Sequence, residues 1–349
     1  LNIILADIDA GTFAIGNGVE DVHSEIELRL TRMIGDTGKK IHSGRSRNDQ
    51  SLTAIKLFLK DEIQHIATSV AKLFELLITL SERHKQYMLP GYTHTQLAMP
   101  SSFGLWFGAW AESLSDDMEL LIAAYNMVNR NPLGSGAGYG SSFPLNRELT
   151  TGLLQFGGIN VNVVYAQMTR GKTERVVATA IAGIAATLSR LSADVCLFCN
   201  QNMAFISFPP AFTTGSSIMP HKKNPDVFEL VRGHCNVIQA LPNQLTLLTT
   251  NLISGYHRDV QLTKEYLFPA LQQMKQCIEM VTVAMAGISV APNILQRAGY
   301  DMLYTVEAVN KLVLDGVPFR DAYRRVAQEV ENGTFTTNRD TQHSHTGRS

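Results

Sequence analysis

QSLTAIKLFLKDEIQHIATSVAKLFELLITL, residues 50–80, settles the fold class. Leu52, Ile55, Leu59, Ile63, Ile66, Val70, Leu73, Leu77 and Leu80 recur at steps of three and four. That period lays them on one stripe of an α-helix and leaves the charged residues on the other faces. One long amphipathic helix is predicted, closed by the breaker run Met88-Leu89-Pro90-Gly91.

The same character continues outward. A second apolar segment runs from Ser101 to Val128, and three more cover roughly 173–206, 227–253 and 265–288. Strand-like alternation is scarce. Helices this long favour a bundle in which each one spans a whole domain. The fold class read from the chain is therefore all-α: a central bundle over 50–291 with a small helical domain at each end. Residues 1–49 carry the helical unit Val22 to Ile34 and a polar loop; 292–349 carry Val306 to Leu314, Phe319 to Val330 and a polar tail from about Phe335. The chain opens at Leu1 in the middle of a helical pattern, so a preceding stretch is expected to be missing.

Composition narrows the function classes. The 349 residues are 45% hydrophobic, enough for a sizeable core. Thirty basic residues balance 31 acidic ones, so no global field draws nucleic acid or an anionic membrane, and an anionic substrate must be gripped locally. Val176 to Leu188 is the longest apolar stretch; it carries threonines and a glycine and is followed by Arg190 and Asp194, which reads as too short and too polar for a membrane span. No signal-peptide pattern opens the chain. The pair Cys196-x-x-Cys199 lies in an apolar helical run without a second metal-type pair, and reads as small core residues of a protein kept in a reducing cytoplasm.

Three interruptions, at 88–100, 129–172 and 207–226, are rich in Gly, Pro, Ser, Thr and Asn, and are the places to look for chemistry. Between two long helices stands Thr213-Thr214-Gly215-Ser216-Ser217-Ile218-Met219-Pro220-His221-Lys222-Lys223-Asn224-Pro225. Consecutive small residues let backbone N–H groups converge on an anion, Lys222 or Lys223 can neutralise a carboxylate, and Asn224 can donate to it. The alternative is a solvated turn; two prolines and a helix start marked by Asp226 and Glu229 weigh towards a rigid site.

Gly44-Arg45-Ser46-Arg47-Asn48-Asp49-Gln50 sets two guanidinium groups before the first long helix, either as forks for a carboxylate or as solvated arginines beside an N-cap at Asn48 or Asp49. Gly91-Tyr92-Thr93-His94-Thr95-Gln96 holds a histidine among hydrogen-bonding neighbours, fit for acid–base work or for nothing beyond a turn. Ser254 to Glu265 is a charged helix start in which Gln261 and Lys264 stand one turn apart. Asp21-Val22-His23-Ser24-Glu25 lacks a convergent third metal ligand, so helix capping is its default.

Taken in order, these five segments resemble the argininosuccinate lyase branch of the fumarase/aspartase superfamily, from Glu20 to about Gly333. The resemblance implies an all-α fold of three domains and a homotetramer whose active sites are shared between subunits. It implies cleavage of argininosuccinate to arginine and fumarate by β-elimination, without metal or organic cofactor, nucleic acid or membrane. By similarity, Ser216 is the base, His94 with Glu229 serves the departing arginine, and Lys222 and Asn224 hold the carboxylate that becomes an aci-carboxylate dianion. Asn48, Thr93, Tyr256, Gln261 and Lys264 bind substrate, with Arg47, Asp21 and His23 close by.

Departures from the family pattern are few. Thr95 stands where leucine is usual and His221 where glutamine is common; the Gly-rich N-terminal stretch with its substrate-binding serine is absent, and the region after Pro292 is short. Other lyases of the superfamily share the loop 215–225, and the fold also serves as a lens crystallin. The Arg45–Asp49 and Tyr256–Lys264 segments speak for argininosuccinate, and Ser216, Lys222, His94 and Glu229 together speak for an active enzyme. A helical binding module is the remaining alternative.

Overall fold

The structure, a computed structural model, describes residues 1–337 and 339. In chain order it comprises α1 (Asn2–Asp9), α2 (Val22–Ile34), α3 (Arg47–His84), strands β1 (Met88–Thr93) and β2 (Gln96–Ser102), α4 (Phe103–Val128), α5 (Arg147–Leu153), α6 (Val163–Met168) and α7 (Lys172–Phe198). There follow β3 (Ile206–Ser207), α8 (Asp226–Ile238), α9 (Leu241–Leu248), α10 (Thr263–Ala286), β4 (Ser289–Val290), α11 (Thr305–Leu314) and α12 (Phe319–Glu331). All nine apolar positions of the opening stripe, Leu52 to Leu80, are buried along α3.

The chain forms two compact units, each gathered from three stretches. The second unit (65–120, 180–240, 270–349) has an apolar interior. Stripes from five helices supply it: Ile66 to Leu80 on α3, Phe103, Phe107 and Leu114 on α4, Ile181 to Val195 on α7, Phe228 and Val231 on α8, and Leu271 to Met285 on α10. Spacings of three and four let each helix turn one face inward.

The first unit (1–64, 121–179, 241–269) is built differently, because polar side chains fill its interior. Among the described residues, only Ser102, Thr187 and Ser192 of the buried polar side chains lie outside it. Buried polar groups must find partners or cost free energy, so such an interior is a network in which most members are fixed by others.

Several expectations need correction. The segment 227–253 is two helices, α8 and α9, rather than one. Pro242 falls in the first turn of α9, where its missing N–H costs nothing, whereas it would break a continuous helix. The breaker run 88–91 opens an antiparallel hairpin, β1–β2, that the sequence reading did not anticipate. Finally, α3 and α7 are both long and apolar enough to cross a membrane by length and composition, so the helix that holds Val176 to Leu188 is neither too short nor too polar for a span; 61% of its most apolar window, however, is buried within the protein.

Candidate active site

Arg47 organises one end of the first unit. Its Nε lies 3.1 Å from Asp21 Oδ2, Nη2 donates to Ser24 Oγ at 2.9 Å, and Nη1 donates to Gln50 Oε1 at 2.9 Å and lies 2.9 Å from His42 Nδ1. The alternative of solvated arginines is therefore wrong for Arg47. Asp21 has two tasks: it caps α2 by accepting the Ser24 N–H at 2.8 Å, and it pairs with Arg47. Partial burial works against its charge, but the Ser24 donors and Arg47 outweigh it and hold the carboxyl below its ordinary range. Burial pushes the His23 imidazole down, with Arg47 adding to that and Asp21 opposing it, which favours the neutral ring.

Asp49, fully buried, is neither solvated nor a simple cap. One carboxylate oxygen accepts the Ser46 N–H at 2.9 Å, while the Ser46 hydroxyl accepts the Asn48 N–H at 3.2 Å. The other oxygen accepts the N–H groups of Gly134 at 2.9 Å and Gly136 at 3.0 Å. Asn48 is thereby fixed against the loop that follows α4. Gly136 sits at φ 61°, and a Cβ there would meet the Gly140 carbonyl oxygen at 2.9 Å, so this loop needs glycine.

A cavity of about 640 Å³ opens in the same unit, lined among others by Gln167, Arg170, Lys172, Arg175, Tyr256 and His257. The Arg170 guanidinium lies 5.2 Å from the Tyr256 ring centroid, and Gln261 Nε2 donates to the Tyr256 hydroxyl at 2.7 Å. Tyr256 thus lines an electropositive cavity, and Gln261 holds its hydroxyl. The same unit holds two buried ionisable groups, Lys56 and Glu174. Lys56 donates to the Arg130 carbonyl at 3.1 Å and Asn160 Oδ1 at 2.8 Å, and burial lowers its pKa to about 8 against the pull of Glu174. Burial raises the Glu174 carboxyl, with backbone donors, Arg170 and Lys56 opposing it.

In the second unit, His94 and Thr95 are the two central residues of the β1–β2 turn, flanked by the Thr93–Gln96 pair. Their φ values are 52° and 60°. A two-residue hairpin turn of this hand calls for Asn-Gly or Gly-Gly, and a β-branched residue at positive φ is costly. Strain of that kind tends to gather at functional sites, and here it presents the His94 side chain at an exposed tip.

The loop 213–225 is pinched at its base, where Thr214 and Asn224 exchange backbone hydrogen bonds of 3.1 and 2.8 Å. Asp226 does not cap α8 as expected; Pro225 occupies that place, and the Asp226 carboxylate instead accepts the Thr214 hydroxyl. Within the loop, Ser216 Oγ accepts the N–H groups of Ile218 at 3.3 Å and Met219 at 3.1 Å. Lys222 and Lys223 are exposed, and Glu229 is exposed one turn into α8. Among the described residues no hydrogen bond or ion pair joins His94 to Glu229 within one chain. Lys264 stands at the start of α10, next to Thr263.

Sequence reasoning missed Arg170, Glu174 and Lys56. One signal was available for Lys56: it stands four residues after Leu52 and three before Leu59, on the stripe that had to be buried.

A family model described as Lyase matches residues 1–240. An argininosuccinate lyase of Parabacteroides distasonis is 57% identical over 99% of this chain and 79% of its own length. The chain belongs to the argininosuccinate lyase family. Another member, from Bacteroides thetaiotaomicron, is likewise 57% identical over 99% of this chain and 78% of its own length. A solved EDDS lyase in complex with formate is similar in fold, with a TM-score of 0.82 at 25% identity; the match covers 94% of this chain and 66% of that one. As a member of the argininosuccinate lyase family the protein is a carbon–nitrogen lyase with the all-α fumarase/aspartase-type fold, as the sequence led us to expect.

Proposed function

We propose that this chain cleaves argininosuccinate to arginine and fumarate by base-catalysed β-elimination. The family match supports the substrate, and one feature of the loop supports the chemistry: Ser216 Oγ receives two backbone N–H donors in a segment that also carries Lys222 and Lys223. A proton beside a carboxylate is barely acidic, so both a base and stabilisation of the forming dianion are needed. A serine hydroxyl becomes a base only where its anion is favoured, and N–H donors and nearby cations favour it.

In this reading Ser216 removes the proton from the succinyl carbon, and Lys222 and Asn224 stabilise the aci-carboxylate dianion. The C–N bond then breaks with protonation of the departing guanidinium nitrogen by His94, which Glu229 orients. Asn48, Thr93, Tyr256, Gln261 and Lys264 bind the substrate, with Arg47, Asp21 and His23 close by. Arg170 joins this set because of its place over Tyr256.

The proposed assembly is a homotetramer in which different subunits contribute His94, Ser216 and the Asn48 region to one site. Exposed apolar side chains on α8 and α9, Leu230, Val237 and Leu247 among them, are consistent with burial by other copies. A three-part division at 1–49, 50–291 and 292–349 and a cytoplasmic location belong to the same reading; the four free thiols agree with a reducing compartment. Ser216→Ala tests the mechanism: turnover should vanish while the assembly stays intact by sedimentation, and wild-type-like activity in that variant would remove Ser216 from the chemistry.

A further inference from the structure

Glu174 is buried to 1% exposure in the first turn of α7, and nothing in the elimination chemistry uses it. Its Oε2 accepts the Gly171 N–H at 2.7 Å, which closes the start of α7 in the manner of a capping box. Its Oε1 reaches the Thr263 hydroxyl at 3.5 Å, at the first residue of α10. The one proton of that hydroxyl goes to the Val260 carbonyl at 2.8 Å, so the 3.5 Å approach to Glu174 is a close polar contact rather than a second full hydrogen bond. Gly171 follows Arg170, whose guanidinium stacks over Tyr256; Thr263 precedes Lys264 and lies two residues after Gln261, which donates to the Tyr256 hydroxyl. One carboxylate therefore meets both of the chain segments that carry the wall of the cavity.

We propose that Glu174 is a positioning residue for substrate binding: it fixes Arg170 relative to the segment of Tyr256, whose hydroxyl Gln261 holds, so that the cavity meets an anionic substrate already formed. Capping alone does not account for the arrangement. A capping glutamate at a helix start is ordinarily solvated, and it uses its carboxylate for one N–H. Here the group is desolvated, bonded to the start of α7, in contact with that of α10 and flanked by the Arg170 and Lys56 cations, so its charge also offsets one cation of the cavity lining and one buried in the same unit. Preorganisation of this kind lowers the ordering cost of binding and leaves the bond-breaking step to residues elsewhere.

The inference rests on the argininosuccinate reading, and the test separates the two. Fumarate release is measured for wild type, Glu174→Gln and Thr263→Val, together with thermal midpoints. Glu174→Gln keeps the shape and one acceptor but removes the charge. Its KM for argininosuccinate should rise about ten-fold or more while kcat changes by less than about three-fold, the pattern of lost binding rather than lost chemistry. Thr263→Val removes the hydroxyl that meets both Glu174 and the Val260 carbonyl without touching the α7 cap, and its KM should rise by about three-fold. An active enzyme in which either variant keeps the wild-type KM overturns the inference, including the case in which only the midpoint falls. Should Glu174→Gln not fold, Thr263→Val alone decides. Wild-type protein that releases no fumarate from argininosuccinate refutes the substrate reading, a result different from an active enzyme indifferent to Glu174.

Discussion

Asp49→Ala removes a carboxylate that holds two loops to the start of α3, and the structure allows the loss to be sized. Three N–H donors are left without their acceptor: Gly134 and Gly136 in the interior, and Ser46 nearer the surface. A hydrogen bond to a charged group contributes roughly 1.5–3 kcal/mol, and a buried donor stranded without a partner costs about 1–3 kcal/mol. The two interior donors should together cost about 3–6 kcal/mol, while water can serve Ser46 and reduce its share to under about 1 kcal/mol. Against a usual folding stability of about 5–15 kcal/mol this is a large fraction. Two measurements follow. Urea unfolding by circular dichroism should show a lower midpoint than wild type, and amide exchange across residues 133–140 should accelerate by orders of magnitude, because that loop loses its anchor. Asp49→Asn, which keeps the shape and one acceptor oxygen, should fall between the two. An Asp49→Ala protein with wild-type midpoint and wild-type exchange in that loop would refute the assignment of Asp49 as its anchor.

Other outcomes are equally open to measurement. Lys56 has a pKa of about 8 in the folded protein against 10.5 when unfolded, so between those values the unfolded chain binds a proton that the folded one does not. Stability from this group therefore rises with pH across that interval, and below about pH 8 burial of the ammonium is a net cost. Relative to Lys56→Met, the wild-type melting temperature should climb from pH 8 to 10.5; parallel curves would contradict the assignment. Thr95→Gly relieves a β-branched residue at φ 60°, and should raise the melting temperature through about 0.5–1 kcal/mol after the greater freedom of glycine in the unfolded chain is counted. An unchanged or lower value would show that the turn is not strained. Gly136→Ala forces a Cβ to 2.9 Å from the Gly140 carbonyl oxygen at positive φ, and should destabilise by about 1–3 kcal/mol in a chemical denaturation series.

Much of the bundle was legible because helical period and burial report the same physics. The stripe Leu52 to Leu80 is buried throughout, and α2 spans Val22–Ile34 as its periodicity predicts. The β1–β2 hairpin was hidden: Pro90 and Pro100 pair across it, residues that ordinarily argue against strands, and its turn is His-Thr instead of Asn-Gly. At the candidate site the loops could be found by composition, since Gly, Ser, Thr and Asn cluster where the helices stop. Their supports could not. Arg47 bonded to Asp21 and Ser24, Asp49 bonded to Gly134 and Gly136, and Glu174 bonded to Gly171 and in contact with Thr263 mostly depend on long-range contacts that leave no periodic trace. What the sequence does record is Lys56, a charged residue on a stripe whose neighbours Leu52 and Leu59 require burial.

The substrate is the central claim, and a fumarate assay reaches it directly. The assembled protein is given argininosuccinate, malate, aspartate and adenylosuccinate in separate reactions, and fumarate is followed by its ultraviolet absorbance, with arginine quantified in the first. Release of fumarate and arginine in equal amounts from argininosuccinate, with far slower turnover of the other three, is the predicted result. Turnover of malate, aspartate or adenylosuccinate with none of argininosuccinate would contradict it.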